Sequence, residues 1–500
     1  MKTKMLHTSD LSLIELVAQA TFANPFTDRR EELDRQITKA LPGEPRDQIL
    51  EKLVEVITGL INRLDADGRT TIQAFPSKDQ HNVTYLYLFM VYHHFRYAFD
   101  AFIEKQMQAG TQRCQVPFGP EAIAMLVKRG ISEEEAAIYF AFFYQVRRAF
   151  YFIDRSLPGE SECIKVLRRS LWNNVFTHDI RWYSEVLRDR MEDFSTLLLG
   201  ETGTGKGSAA AAIGRSGFIP FDLKQNSFSM NIRDLFVQIN LSQFPEALIE
   251  SELFGHTKGS FTGAVESHNG IFSLSSPHGA IFLDEIGDVS IPIQIKLLQV
   301  LQERMFSPVG SHEKKRFEGR VIAATNHPLE ELRRSGKFRD DFYYRLCSDI
   351  IIVPPLRLRI MENPKELEIL LHILLRRLTG EDIPELYAMV FETLKQCVGL
   401  QYHWPGNVRE LEQCVRRILL TRSYTGDTPR TGRDLLTDLL AEIQEGTCDA
   451  KALLGDYCRL LYQRHGSYQE VSRITGLDRR TVKKHITLSA ADGNKPAGTS

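Results

Sequence analysis

Two short apolar runs, each ending in residues that a nucleotide site requires, constrain this chain more than any other feature. The first, TLLLGETGTGKG at residues 196–207, is a strand pattern leading into G-x-x-x-x-G-K, and an alanine-rich helix at 206–215 follows it. In that setting Gly200, Glu201, Thr202, Gly203, Thr204, Gly205, Lys206 and Gly207 form a loop whose backbone N–H groups wrap a phosphate. Lys206 then reaches the β and γ phosphates of a triphosphate, taken as ATP. The second run, GAIFLDEIGD, places Asp284 and Glu285 at the end of another buried strand. Phosphoryl transfer needs a metal, a positioned water and charge compensation, so Asp284 is the candidate for Mg2+ and Glu285 for polarising the attacking water. One departure stands out. Gly207 follows the lysine where the general pattern has a hydroxyl for the metal, and Ser208 comes one residue late.

Strands and helices alternate from 196 to about 421, with short buried strands expected at 196–199, 236–241, 280–283, 321–324 and 350–353. The fold class is therefore multidomain: a helical N-terminal domain over 1–155, a helical connector over 156–195, an α/β ATPase subdomain over 196–355 and a helical lid over 356–421. A linker and helix at 422–447, a small helical unit at 448–488 and a disordered tail at 489–500 complete the chain. In the N-terminal third, apolar residues at helical spacing predict helices at 11–23, 29–40, 45–64, 83–107, 120–129 and 133–153. Two of these are crowded with rings, which serve either as core or interface packing or as a pocket for an apolar or planar effector. His93 and His94 lack a partner Glu-x-x-His, so no metal site is expected there.

Composition excludes several classes. The 43% hydrophobic and 25% charged fractions are those of a soluble globular chain, no apolar run reaches a bilayer-spanning length, and the N-terminus has no cleavage pattern. A cytoplasmic protein without a membrane partner is expected. The seven cysteines are scattered and form no C-x-x-C pair, which indicates neither disulfides nor zinc.

Between the halves of the ATP site lies ESELFGHTKGSFTGA, residues 250–264, which nucleotide binding does not require. With the phosphate loop and the LDE triplet, it resembles the central domain of the sigma-54-dependent transcriptional activators, the bacterial enhancer-binding proteins of the AAA+ superfamily. In that family the phosphate loop commonly reads GESGTGKE, so a missing hydroxyl is usual there. GSFTGA stands for the family's GAFTGA loop, and the resemblance implies that Gly259, Ser260, Phe261, Thr262, Gly263 and Ala264 form a nucleotide-driven surface loop that presses on sigma-54. It further implies that Asn240 is the switch asparagine restraining the catalytic glutamate, Asn326 the sensor I residue and Arg409 the sensor II arginine. Arg339 and Arg345 would be supplied to the neighbouring subunit's ATP, which requires a homo-oligomeric ring, expected as a hexamer. The segment GFIPFDLKQNSFSMNIRDLF is longer than the family's usual spacing and is a candidate docking element. No familiar signalling domain precedes residue 196.

Near the C-terminus, SYQEVSRITGLDRRTVKKHI reads as a helix at 468–475, a turn at Gly476 and Leu477, and a helix at 479–486 capped by Asp478. Val471, Ile474, Leu477 and Val482 would form the core of a helix-turn-helix, the element that the family carries as a Fis-like DNA-binding domain. From 451 to 485 eight lysines or arginines face three acids, a surplus suited to upstream DNA. Arg479, Arg480, Thr481, Lys483 and Lys484 are the groove and backbone candidates. The expected function is an ATP-driven activator that remodels sigma-54 RNA polymerase holoenzyme. The alternatives are a DNA-binding regulator whose ATP site controls only oligomerisation, and an AAA+ remodeller of a non-transcriptional client.

Overall fold

The computed structural model describes residues 7–41, 43–110, 112–426, 450–465 and 467–492, which fall into two compact units, Met1–Thr425 and Gly426–Ser500. Residues 427–447 of the expected linker and 493–500 of the expected tail lie outside the described residues.

The strands are β1 (Thr196–Leu199), β2 (Phe221–Asp222), β3 (Ser227–Phe228), β4 (Phe236–Asn240), β5 (Ala280–Asp284), β6 (Met305–Phe306), β7 (Lys315–Arg316), β8 (Arg320–Thr325) and β9 (Asp349–Ile352). Five of them make one parallel sheet in the order β4-β5-β8-β1-β9. Helices and loops cover the central strands on both faces, which is why TLLL and AIFLD are unbroken apolar runs rather than alternating ones. The register pairs Asn240 with Asp284, Leu283 with Ala323 and Leu199 with Thr325. The loops after β1, β4, β5 and β8 therefore leave from one edge, where open α/β sheets hold ligands.

The N-terminal helices are Thr8–Phe22, Asp28–Thr38, Arg46–Ala66, Ser77–His94, Arg96–Gln108, Gly119–Lys128 and Glu133–Ser156. The single helix expected at 83–107 is two, because the backbone bends at Phe95 (φ −97°, ψ 7°), whose buried ring stacks on Phe118 at 5.5 Å. Both pieces bury rings, so the apolar pattern runs on through the bend without marking it.

The bundle does not end in its own core at 155. Phe99, Phe140, Tyr144 and Ile153 share one cluster with Ala209 and Ile213 of the phosphate-loop helix, Lys206–Gly214, and with Phe282 and Ile322 of the sheet. The expected connector belongs to it too, since the helix Glu162–Phe176 buries Leu167, Leu171, Trp172 and Phe176 there. One face of the sheet needs an apolar cover, and the bundle supplies it. The long segment before β4 is a docking element toward this same bundle. β2 and β3 pair antiparallel, Phe228 stacks on Tyr144 at 4.0 Å and Phe221 meets Phe140 at 4.8 Å. Asn226 and Asn231 donate to the carbonyls of Val116 and Gln112, each at 2.9 Å.

Fully buried Arg148 joins the two parts most tightly. It donates to the carbonyls of Arg215 (2.7 Å) and Gly217 (2.5 Å), while Gln145 donates to Ser216 O (2.9 Å). These carbonyls lie at or just past the C-terminal end of the phosphate-loop helix, where a cation offsets the helix dipole.

The lid consists of the helices Leu356–Glu362, Lys365–Thr379, Pro384–Cys397 and Asn407–Thr421 around Leu371, Leu394, Trp404 and Leu411. Its buried pair Arg359–Glu366 (2.6 Å) also holds the corner after the bundle. Glu366 accepts the N–H groups of Glu160 and Ser161, and Arg359 donates to Pro158 O.

The C-terminal unit holds helices Ala450–His465, Tyr468–Thr475 and Arg479–Asp492 around Cys458, Leu461, Val471 and Val482. Leu477 packs against this cluster, but Ile474 is 39% exposed, with Thr475 following Val471 inward instead. The last helix overruns the expected end at 486 into the 489–492 assigned to the tail, because no glycine or proline interrupts it before Gly493.

Arg148→Met should cost about 3 kcal/mol in urea unfolding, since it strands two part-buried carbonyls that now accept charged donors.

Candidate functional site

Gly203 (φ 80°) and Gly205 (φ 102°) turn the phosphate loop, and a Cβ at Gly203 would strike Gly406 O of the lid. Lys206, 7% exposed, donates to the carbonyls of Gly200 (2.8 Å) and Glu201 (3.2 Å). Burial pulls its ammonium below the ordinary lysine value, and the carboxylates of Glu285 and Asp284 oppose that. Asp284, at the end of β5, is raised by burial and lowered by Lys206. Asn326 follows β8 and donates to Thr202 Oγ1 at 2.9 Å, so the residue after β8 touches the loop after β1.

Glu285 stands in the left-handed region (φ 56°, ψ 47°), and its buried Oε2 has no hydrogen-bond partner. A non-glycine residue in that conformation with an unsatisfied carboxylate oxygen is the combination that active sites retain. Asn240 does not reach it. Its amide donates to Asp284 Oδ2 at 3.4 Å, as the Asn240–Asp284 register dictates, and its Oδ1 accepts from Ser242 N and Oγ. Among the described residues no three His, Cys, Asp or Glu side chains gather around a metal position. A lone half-buried carboxylate fits Mg2+, which commonly keeps phosphate oxygens and water as its other ligands.

The lid grips the loop through residues that sequence reasoning missed. Asn407, buried and left-handed (φ 54°), donates to Glu201 Oε2 and Thr202 O, both at 3.1 Å, and accepts Leu356 N–H at 2.8 Å. Arg357 forms two hydrogen bonds to the Glu201 carboxylate at 2.7 and 2.5 Å. Glu201 is thus engaged by the lid, and the Arg357 guanidinium holds its carboxyl below the ordinary value. The ion pair is present at neutral pH and is lost only as pH falls through that lowered value. The signal available was the asparagine in WPGNVREL, beside Arg409. Arg409 itself is exposed, with its Cβ 3.0 Å from where a Gly203 Cβ would stand.

Arg339 and Arg345 find partners within the chain. Half-buried Arg339 pairs with Asp341 (2.7 Å), and half-buried Arg345 donates twice to Leu301 O (3.0 and 2.9 Å).

Between β4 and β5, the helix Glu246–Phe254 leads into the glycine-flanked loop. His256 clamps its base: Nδ1 meets Ser251 Oγ (2.7 Å), Nε2 meets Glu266 O (3.0 Å), and its backbone bridges to His268 and Val309. Gly259 (φ 80°) and Gly263 (φ 104°) have open space around them, and Gly259 N–H donates to Ala264 O at 2.8 Å. Phe261, Thr262 and Gly263 are exposed at the tip, while Ala264 is buried. Ser260 Oγ is buried without a partner, so its hydroxyl contributes nothing that a methyl would not.

Residues 178–351 match the family model of the Sigma-54 interaction domain. The chain belongs to the sigma-54-dependent activators. It is 42% identical over 225 residues to the Nif-specific regulatory protein of Bradyrhizobium diazoefficiens, covering 45% of this chain and 35% of that one. The regulatory protein AtoC of Escherichia coli is 32% identical over 329 residues, 62% of this chain and 66% of its own length. The chain matches between 35% and 43% of the length of the five Nif-specific relatives. The sheet described above is accordingly that of an AAA+ α/β domain.

In the C-terminal unit, Asp478 caps the last helix by accepting Arg480 N–H (2.9 Å) and Thr481 N–H (3.1 Å). Arg479, Arg480, Lys483 and Lys484 are exposed, whereas the Thr481 hydroxyl is bonded to Asp478 at 2.5 Å.

Asn407→Ala should lower unfolding stability by about 2 kcal/mol, because buried Leu356 N–H loses its acceptor. Ser260→Ala should change it by less than about 0.5 kcal/mol.

Proposed function

We propose that this protein is an ATP-dependent transcriptional activator that holds upstream DNA and remodels sigma-54 RNA polymerase holoenzyme. The observation that carries this reading is the exposed Phe261–Thr262 tip, standing on a clamped base between the strands that bear Asn240 and Asp284. A loop that only stabilised the nucleotide site would have no need to expose its ring.

Lys206 and the amides of the phosphate loop would bind the triphosphate of ATP, and Asp284 would hold Mg2+, which supplies charge neutralisation when bound. Glu285 would orient water with the oxygen that has no partner in the chain. Asn240 sits beside Asp284 and also caps the turn before the helix Glu246–Phe254, so a change at the γ phosphate has a short covalent route to the finger. Arg339 can leave its solvent-accessible pairing with Asp341 at small cost and reach a neighbour's ATP, the arrangement of a ring, which we take to be a hexamer. Arg345 would first have to release Leu301 O. Asn326 and Arg409 would report nucleotide state to the loop and the lid. At the other end, Asp478 orders a helix-turn-helix whose Arg479, Arg480, Lys483 and Lys484 neutralise DNA phosphates and read base edges, with Thr481 limited to what its cap leaves free. We take the activator to be cytoplasmic; no helix among the described residues is long and apolar enough to cross a membrane.

Glu285→Gln should retain ATP binding and lose turnover by about a hundredfold or more, read by nucleotide binding beside phosphate release. Thr262→Ala should leave ATP turnover within about twofold of wild type and abolish open-complex formation at a sigma-54 promoter. A regulator whose ATP site governed only oligomerisation would still activate with Glu285→Gln.

A further inference from the structure

The N-terminal bundle contains a cavity of about 390 Å³ that the nucleotide chemistry does not use. Its size lies within the range of small-molecule sites. Phe22, Tyr85, Phe89, Phe142, Phe150 and Trp172 stand around it. Several of these rings, among them Tyr85, Phe142 and Phe150, are only half buried although they pack against the core, because the cavity leaves part of their surface uncovered. Rings so placed offer edges and faces to a flat aromatic molecule and little to a flexible chain.

A buried polar side chain stands among them. His93 is 9% exposed, lines the cavity, and has no hydrogen-bond partner at Nδ1 or Nε2. Burial holds its imidazolium well below the usual histidine range, and Arg30 adds to that, so the ring is neutral and presents one donor and one acceptor. A buried polar group without a partner calls for an explanation, and an absent ligand is one. Arg30 is already paired with Asp34 at 2.9 Å and Arg188 with Asp189 at 3.4 Å, while Glu135 and Glu185 also line the cavity, an arrangement that disfavours a carboxylate ligand. The far wall is Ile180, Ser184 and Glu185, in a stretch that includes the π-helical turn Tyr183–Leu187 and runs on into β1. Such turns are frequent at functional sites.

We infer that this cavity is a binding site for a small, uncharged, planar aromatic molecule with one N–H or O–H group, which stacks among the rings and hydrogen-bonds to His93. An occupant would touch the segment that enters the phosphate-loop strand. The site stands on its own geometry and does not depend on the ATPase reading.

The test is calorimetric titration of the full chain, without nucleotide, using indole and 1-methylindole, which differ by a single donor. Indole should bind one per chain and raise the melting temperature. His93→Leu should weaken indole about tenfold, the loss of one hydrogen bond, while leaving the weaker 1-methylindole unchanged. His93→Gln should recover part of the difference, and Val146→Trp, which fills the cavity, should abolish both. Circular dichroism and ATP affinity of each variant establish that it is folded. Absence of indole binding to the wild type, or binding that His93→Leu and Val146→Trp both leave unchanged, would overturn the inference.

Discussion

Glu285 occupies left-handed backbone with a buried carboxylate oxygen that no donor reaches. Both features cost free energy, and they persist because β5 is held by parallel ladders to β4 and β8 on its two sides. The strand delivers the carboxylate to the edge where the loops after β1 and β8 already meet through Thr202 and Asn326. What the chain leaves unsatisfied at that point is what a water positioned for attack would use.

Around this point the rest of the unit supplies rigidity from several directions. Arg148 and Gln145 of the bundle bind the carbonyls at the far end of the phosphate-loop helix, while Asn407 and Arg357 of the lid hold its beginning through Glu201 and Thr202. The corner between bundle and lid is closed by Glu366, whose carboxylate accepts from two backbone amides as well as from Arg359. The finger is freer than any of these, with open space around both of its glycines above a base clamped by His256.

Much of this was legible in the residues because each local signal had one physical meaning. β1 was placed to the residue, the other sheet strands to within a residue or two at each end, and Asp478 caps its helix as its position requires. The misreadings came from packing that spacing alone does not encode. Apolar periodicity runs straight through the bend at Phe95, and the sheet's demand for an apolar cover merges the bundle and the 156–195 segment into one core. Asn240 meets Asp284 rather than Glu285 because strand register, which no single strand reveals, sets the pair side by side. The contacts of Glu201 with Arg357 and Asn407 join residues 156 and 206 positions apart, and the cavity beside His93 is a void, which a sequence does not spell.

On the function proposed above, catalysis would be shared between neighbouring chains, with Glu285 from one and Arg339 from the next. Mixing Glu285→Gln protein with Arg339→Ala protein is the decisive measurement. Each variant alone should be inactive, and the mixture should hydrolyse ATP, because some interfaces then combine an intact carboxylate with an intact arginine. Full turnover by Arg339→Ala alone, or a mixture as inert as its parts, would contradict the account.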